Sequence, residues 1–155
     1  MWRNSLLAAL LLVAILPLSL SAQGSAGPNK RHDRIVSAVR AVLDAQRDAW
    51  NRGDLEGYMD GYDRSPATEF VGGDTITRGW QTVLERYQRK YDSREKMGVL
   101  AFSEIEITVL SKDAALVLGR WRLKRASDEP HGTFSLLFRR KQAGWRIVHD
   151  HSSSA

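Results

Sequence analysis

No cysteine occurs anywhere in the 155 residues. A disulfide framework, zinc-thiolate sites and thiol catalysis are therefore excluded together, and nothing can carry the lipid of a bacterial lipoprotein. Neither HxxxE nor HExxH occurs. Paired histidines would thus lack a third ligand from a helix motif, and neither a metal nor another cofactor is expected. A G-x-S-x-G nucleophile motif is also missing. No internal repeat, low-complexity stretch or nucleic-acid recognition motif follows the N-terminal segment. Charge of one sign is scarce too: 23 Lys and Arg face 18 Asp and Glu, a formal +5 spread over the chain. A surplus of that size reads as solubility, and no nucleic-acid partner is expected.

What is there begins with a targeting pattern. Met1-Trp2-Arg3-Asn4 supplies a short positive region, and an apolar run from Leu6 to Leu20 follows, broken only by Pro17 and Ser19. The run is short for a bilayer span, and the small residues from Ser21 to Ala26 complete the plan of a secretory signal peptide. Residues 1–22 are read as that peptide, cleaved after Ala22, with an uncleaved anchor as the alternative. No Arg-Arg pair precedes the run, which excludes twin-arginine export. The expected location is periplasmic or secreted, with no stable membrane span after cleavage. Residues 23–32 read as a disordered lead-in, and residues 33–153 as one domain. About 130 residues suffice to bury a core without cross-links.

Asp33 is a candidate N-cap. From there Ile35, Val36, Val39, Val42, Leu43, Gln46, Ala49 and Trp50 recur at helical spacing. Gly53 ends that helix, and Asp54 opens a shorter one carrying Leu55, Tyr58, Met59 and Tyr62, which Ser65-Pro66 stops. Glu69-Phe70-Val71 and Thr75-Ile76-Thr77 flank Gly72-Gly73-Asp74 as a small hairpin. Trp80, Val83, Leu84, Tyr87 and Tyr91 mark a third helix, and residues 92–96 a charged loop. Beyond Met97 the pattern is that of strands. Ile105, Ile107 and Val109 alternate with polar residues, Ala114 to Lys124 forms the next strand, and Gly132, Phe134, Leu136 and Phe138 alternate in the one after. In the last strand Trp145, Ile147, His149 and His151 fall on one face, with Val148 and Asp150 on the other. Short turns between long strands predict an antiparallel meander. The fold class is α+β: a cone-shaped, curved antiparallel sheet wrapped around three helices of the N-terminal half.

Three segments carry a family resemblance. Ala49-Trp50-Asn51-Arg52-Gly53-Asp54-Leu55 is similar to the helix end of SnoaL-like proteins and of the calcium/calmodulin-dependent kinase association domain. Arg78-Gly79-Trp80 resembles the opening of their third helix. The stretch from Gly144 to Ser153 resembles their terminal strand. The chain from 33 to 153 thus resembles the nuclear-transport-factor-2-like superfamily. That resemblance implies a ligand cavity at the open end of the cone, on a fold that hosts isomerases, dehydratases, cyclases, hydrolases and non-enzymatic oligomerisation domains. Fold therefore leaves the chemistry undecided.

Trp50, Tyr58, Tyr62, Trp80, Tyr87 and Trp121 are the candidate ligand-binding residues, offering apolar surface with single polar handles, or else core packing. His149 and His151 are the candidate catalytic pair, set two apart on one strand face, where imidazoles can act as general acid or base. Asp150, on the other face, is expected at an interface or surface pair. Arg120 and Arg122 share a face and read as solvated or dimer-facing. The leading expectation is an exported binding protein for a small apolar or ring-shaped ligand, homodimeric through the outer sheet face. The alternatives are an acid/base enzyme using a pocket histidine and tyrosine, and a homo-oligomerisation module with a filled cone.

Overall fold

The computed structural model describes residues 28–155, so the signal peptide expected at 1–22, and residues 23–27 of the lead-in, lie outside the described residues. Helix α1 spans Pro28–Asn51, starting five residues ahead of Asp33. Pro28 takes the first helical position, where a missing N–H costs no hydrogen bond and the fixed φ suits the helix. Its buried face is Ile35, Val39, Leu43, Gln46, Ala49 and Trp50, the three-to-four spacing of one helical stripe. Gly53 ends the run at φ +86°, a conformation glycine adopts without Cβ strain. Asp54 then caps α2 (Leu55–Met59), accepting the Gly57 N–H at 2.7 Å. This helix stops short of Tyr62, whose backbone instead makes an isolated parallel bridge to Ile147.

Strands β1 (Glu69–Gly72) and β2 (Thr75–Arg78) form the expected hairpin, and α3 spans Trp80–Lys90. The charged segment expected as a loop contains a single helical turn, α4 (Arg94–Met97), because Ser93 accepts the Lys96 N–H as an N-cap. Four strands complete the chain: β3 (Val99–Ser111), β4 (Ala114–Lys124), β5 (His131–Lys141) and β6 (Gly144–Ser152). They join one sheet in the order β2-β1-β6-β5-β4-β3. Every pairing is antiparallel except β1 with β6, which is parallel.

Irregular register curls this sheet. In β3 the pairing with β4 slips between Ser103 and Glu106, and Glu104 takes φ +51° there. In β6 the pairing slips at Val148: Phe138 faces Ile147, but the next β5 residue, Leu137, faces His149. Each bulge bends its strand and raises the local twist, so the sheet wraps over α1. Ala115, Val117, Phe134, Leu136, Phe138 and Ile147 of the sheet meet Val39, Leu43 and Met59 of the helices in the main core.

A second, smaller cluster is formed by Trp50, Met97, Leu100 and Leu123. Here the Ala-Trp-Asn segment has a physical role. Asn51 Nδ2 donates to the Leu100 carbonyl at 3.0 Å, while Asn51 Oδ1 accepts the Leu100 N–H at 2.7 Å. The side chain thus serves the start of β3 as a neighbouring strand would. Trp50 Nε1 donates to the Met97 carbonyl at 3.2 Å, and together these bonds fix the helix end against the sheet.

Candidate functional site

Between α1, α2, α3 and the inner sheet face lies a cavity of about 200 Å³. Trp50, Tyr58, Tyr62, Tyr87 and Trp121 all line it, as the aromatic candidates require. Trp80 does not. Its indole is buried behind the wall, donating from Nε1 to the Met59 carbonyl at 2.7 Å and covered by the Arg64 guanidinium 4.2 Å above the ring. Gly79 at φ +94° starts α3 so that Trp80 turns toward α2, and its helical spacing with Tyr87 reports packing rather than a shared wall. The tyrosines form a contiguous layer: Trp50 meets Tyr58 edge-on at 5.1 Å and Tyr91 at 4.8 Å, and Tyr62 lies 4.6 Å from Phe70.

The base of the cavity holds Asp150, which the alternation of β6 places outside. Counting by twos from Trp145 fails at the Val148 bulge, where one extra residue shifts every later side chain to the opposite face. Trp145 and Ile147 point inward, and beyond the bulge Asp150 and Ser152 do so. His149 and His151 consequently face outward, and neither lines the aromatic cavity. The composition of the strand carries a trace of this: the apolar inward set ends at Ile147, and polar side chains occupy the positions that a regular strand would bury next.

Asp150 is buried and accepts two hydrogen bonds, from Tyr62 Oη at 2.7 Å and from Ser152 Oγ at 2.6 Å. Burial pushes its pKa above the usual carboxylate range, against the opposing pull of those two donors. The pKa values of the Tyr58, Tyr62 and Tyr87 phenols are raised as well, first by burial, then by the nearby Asp150 charge for Tyr58 and Tyr62 and by Tyr58 ahead of Asp150 for Tyr87. Tyr58 Oη stands 3.5 Å from Tyr62 Oη, extending the polar line toward the cavity. Gln46, also buried, donates to the Tyr58 carbonyl at 3.0 Å and holds α2 in place. A protonatable carboxyl with adjacent phenols in an apolar enclosure can hold a ligand hydroxyl or carbonyl, or exchange a proton with it.

The outer face is built differently. His149 Nδ1 lies 3.1 Å from Glu69 Oε2, and Arg78 Nε donates to the other Glu69 oxygen at 3.0 Å. His149 and then Arg78 hold the Glu69 carboxyl below its ordinary range. His151 is exposed and borders a depression of about 380 Å³ whose walls include Glu104, Leu118 and Arg120. Arg120 pairs with Glu104 at 2.8 Å and Arg122 with Glu129 at 3.0 Å, both pairs exposed, which matches the solvated reading of that face. No group of three or more His, Asp or Glu side chains able to hold a metal occurs among the described residues, and no helix there is long and apolar enough to cross a membrane.

Comparison with known proteins adds lineage to this geometry. A family model described as a SnoaL-like domain matches residues 39–155. An NTF2-like protein of unknown function from Shewanella oneidensis is 40% identical, with a TM-score of 0.74 over 77% of this chain and 98% of its own. A domain of unknown function with a cystatin-like fold from Nostoc punctiforme is 23% identical at TM-score 0.64, covering 76% of this chain and 75% of that one. An NTF2-like protein with a cystatin-like fold from Novosphingobium aromaticivorans reaches TM-score 0.65 at 16% identity, covering 81% and 84%. No curated protein matches the chain.

Proposed function

The chain belongs to the SnoaL-like family, and from that membership and the cavity we propose that it is an exported binding protein for a small apolar or ring-shaped molecule. One observation carries the reading: a cavity walled by Trp50, Tyr58, Tyr62, Tyr87 and Trp121 closes on a single buried carboxyl, Asp150. Aromatic walls supply contact area, and the Asp150-Tyr62 pair supplies a buried polar anchor. The open space weighs against a filled-cone oligomerisation module. Native mass spectrometry of the purified chain, beside the same sample denatured, tests the proposal. The expected result is extra mass lost on denaturation, or saturable binding of a neutral ring probe that quenches tryptophan fluorescence. Bare polypeptide that also fails to bind any ring probe sinks it.

A second reading has its own observation. Asp150 is the one carboxyl on the cavity wall and its proton affinity is raised, as a general acid or base requires. In this reading Asp150 moves a proton on an apolar substrate while Tyr62 and Tyr58 donate hydrogen bonds, the role first assigned to His149 and His151. Incorporation of deuterium next to the carbonyl of a ring ketone, followed by NMR, is expected for the wild type and not for Asp150→Asn. Equal incorporation in both proteins overturns it.

For the assembly we propose a homodimer through the outer sheet face, where Leu118 of β4, one strand in from the sheet edge, is 46% exposed. Half-buried Leu116 and Leu137 flank it. Leu118→Arg should convert the dimer to monomer in sedimentation. A dimer untouched by that change overturns the assignment of the face.

A further inference from the structure

The mouth of the aromatic cavity carries charge of one sign. Arg86 and Lys90 are exposed residues on α3 that also line the cavity, four positions apart and therefore one above the other on the same helix side. Neither has a carboxylate within ion-pair distance among the described residues, although acidic side chains are close in sequence. Glu85 instead accepts from Gln81, and Asp92 pairs with Lys96. Arg86 is held in place nonetheless. One guanidinium nitrogen donates to Thr77 Oγ1 at 3.0 Å across the gap to β2, leaving its other N–H groups free, and its plane lies 5.9 Å from the Tyr87 ring. Lys90 sits 5.2 Å over the Tyr91 ring, at the same rim. The only acid lining the cavity among the described residues, Asp150, is buried and bonded to Tyr62 and Ser152.

We propose that the occupant of this cavity is an apolar ring acid, with its carboxylate at the mouth between Arg86 and Lys90 and its ring among the aromatic side chains. This rests on the binding reading given above and specifies its ligand class. An anchored arginine presents a planar fork that matches a carboxylate, and a lysine one turn on adds a second cation. A carboxylate also needs no desolvated partner at that position, because the mouth is open to water. The volume of about 200 Å³ admits one or two rings, below the roughly 300–1,000 Å³ of pockets that take drug-sized ligands.

The test is a matched pair of probes, naphthalene carboxylate and naphthalene carboxamide, alike in shape and different in charge. Their affinities are measured by calorimetry on the wild type and on the double variant Arg86→Gln, Lys90→Gln. Both side chains are exposed, and unchanged carboxamide affinity in the variant verifies that the cavity is intact. In the wild type the carboxylate should bind about tenfold tighter than the carboxamide, equivalent to ~1.4 kcal/mol. That preference should shrink with added salt and vanish in the double variant. Equal affinities in the wild type, or a preference that survives the double substitution, overturns the ring-acid assignment while the binding reading stands. Failure of both probes to bind overturns the two together.

Discussion

The two faces of the sheet where β1 pairs with β6 hold carboxyls to different ends. On the inner face Asp150 is buried, bonded to one tyrosine and one serine, and pushed toward its neutral form. On the outer face Glu69 is bonded to one histidine and one arginine and held in its charged form. Both carboxyls accept two hydrogen bonds. What differs is the balance: inside, desolvation outweighs the donors, and outside, the bonds from His149 and Arg78 outweigh a smaller desolvation. One extra residue in β6, Val148, turns Asp150 to the inner face and His149, the partner of Glu69, to the outer one. The inner face thus holds a protonatable carboxyl away from water, and the outer face is a place for charge pairing.

The largest effect expected from breaking this arrangement is at Asp150 itself. Asp150→Ala leaves the hydroxyls of Tyr62 and Ser152 without their acceptor in a buried site, a loss of about 1–3 kcal/mol of stability. Binding of any ligand that uses the polar anchor should fall with it. Tyr62→Phe removes only one donor and should cost about 1–1.5 kcal/mol, near the ordinary worth of one hydrogen bond. It should also drive the Asp150 pKa further up, because the Tyr62 bond opposes the effect of burial. Denaturant unfolding reads the first quantity, and NMR titration of the carboxyl carbon reads the second. An unmoved Asp150 in Tyr62→Phe would mean the two groups do not interact in solution.

A smaller effect is the pH dependence. The Asp150 pKa is raised in the folded chain above its ordinary 3.8, so the folded state binds the proton more tightly than the unfolded state does. Its contribution to stability is then fully present below 3.8 and is lost as pH rises through the folded value. Glu69 acts in the opposite sense: its lowered pKa contributes stability above the ordinary glutamate value, lost as pH falls through the folded one. Asp150→Asn should therefore flatten the loss on the alkaline side of 3.8 and leave the acid limb. Parallel stability profiles for the two proteins would show that Asp150 does not titrate differently on folding.

Much of this was legible in the sequence. The α+β cone, the hairpin at Gly72-Gly73-Asp74, the junction at Gly53-Asp54 and five of the six aromatic wall residues follow from helical spacing, glycine placement and family likeness. The missed features share one cause, which is that period-counting assumes unbroken elements. Tyr62 was counted with α2, yet it leaves the helix and pairs with β6. Trp80 shares a helix with Tyr87 but sits under Arg64, away from the cavity. Above all, a bulge has no dependable signature in one strand alone, since the partner's register creates it. Nothing in the sequence sets Arg86 and Lys90 apart from the other polar residues of α3, because a cation at a cavity mouth and one in open solvent look alike until the opposite wall is placed.

The smallest effects should come from the residues the regular alternation favours. His149→Ala removes one of two partners of Glu69, and Arg78 remains to hold that carboxyl. The pair is half-buried at the sheet surface, where water and salt still screen it and reduce its contribution. His151 is exposed, with no side-chain hydrogen bond among the described residues. Both variants should therefore fold as the wild type does and bind a ring probe with affinity unchanged to within about twofold, the scale of a screened surface charge. The comparison is sharp because Asp150 lies between them in the chain. If either histidine variant loses binding while Asp150→Asn keeps it, the bulge does not persist in solution, and β6 presents the opposite face to the cavity.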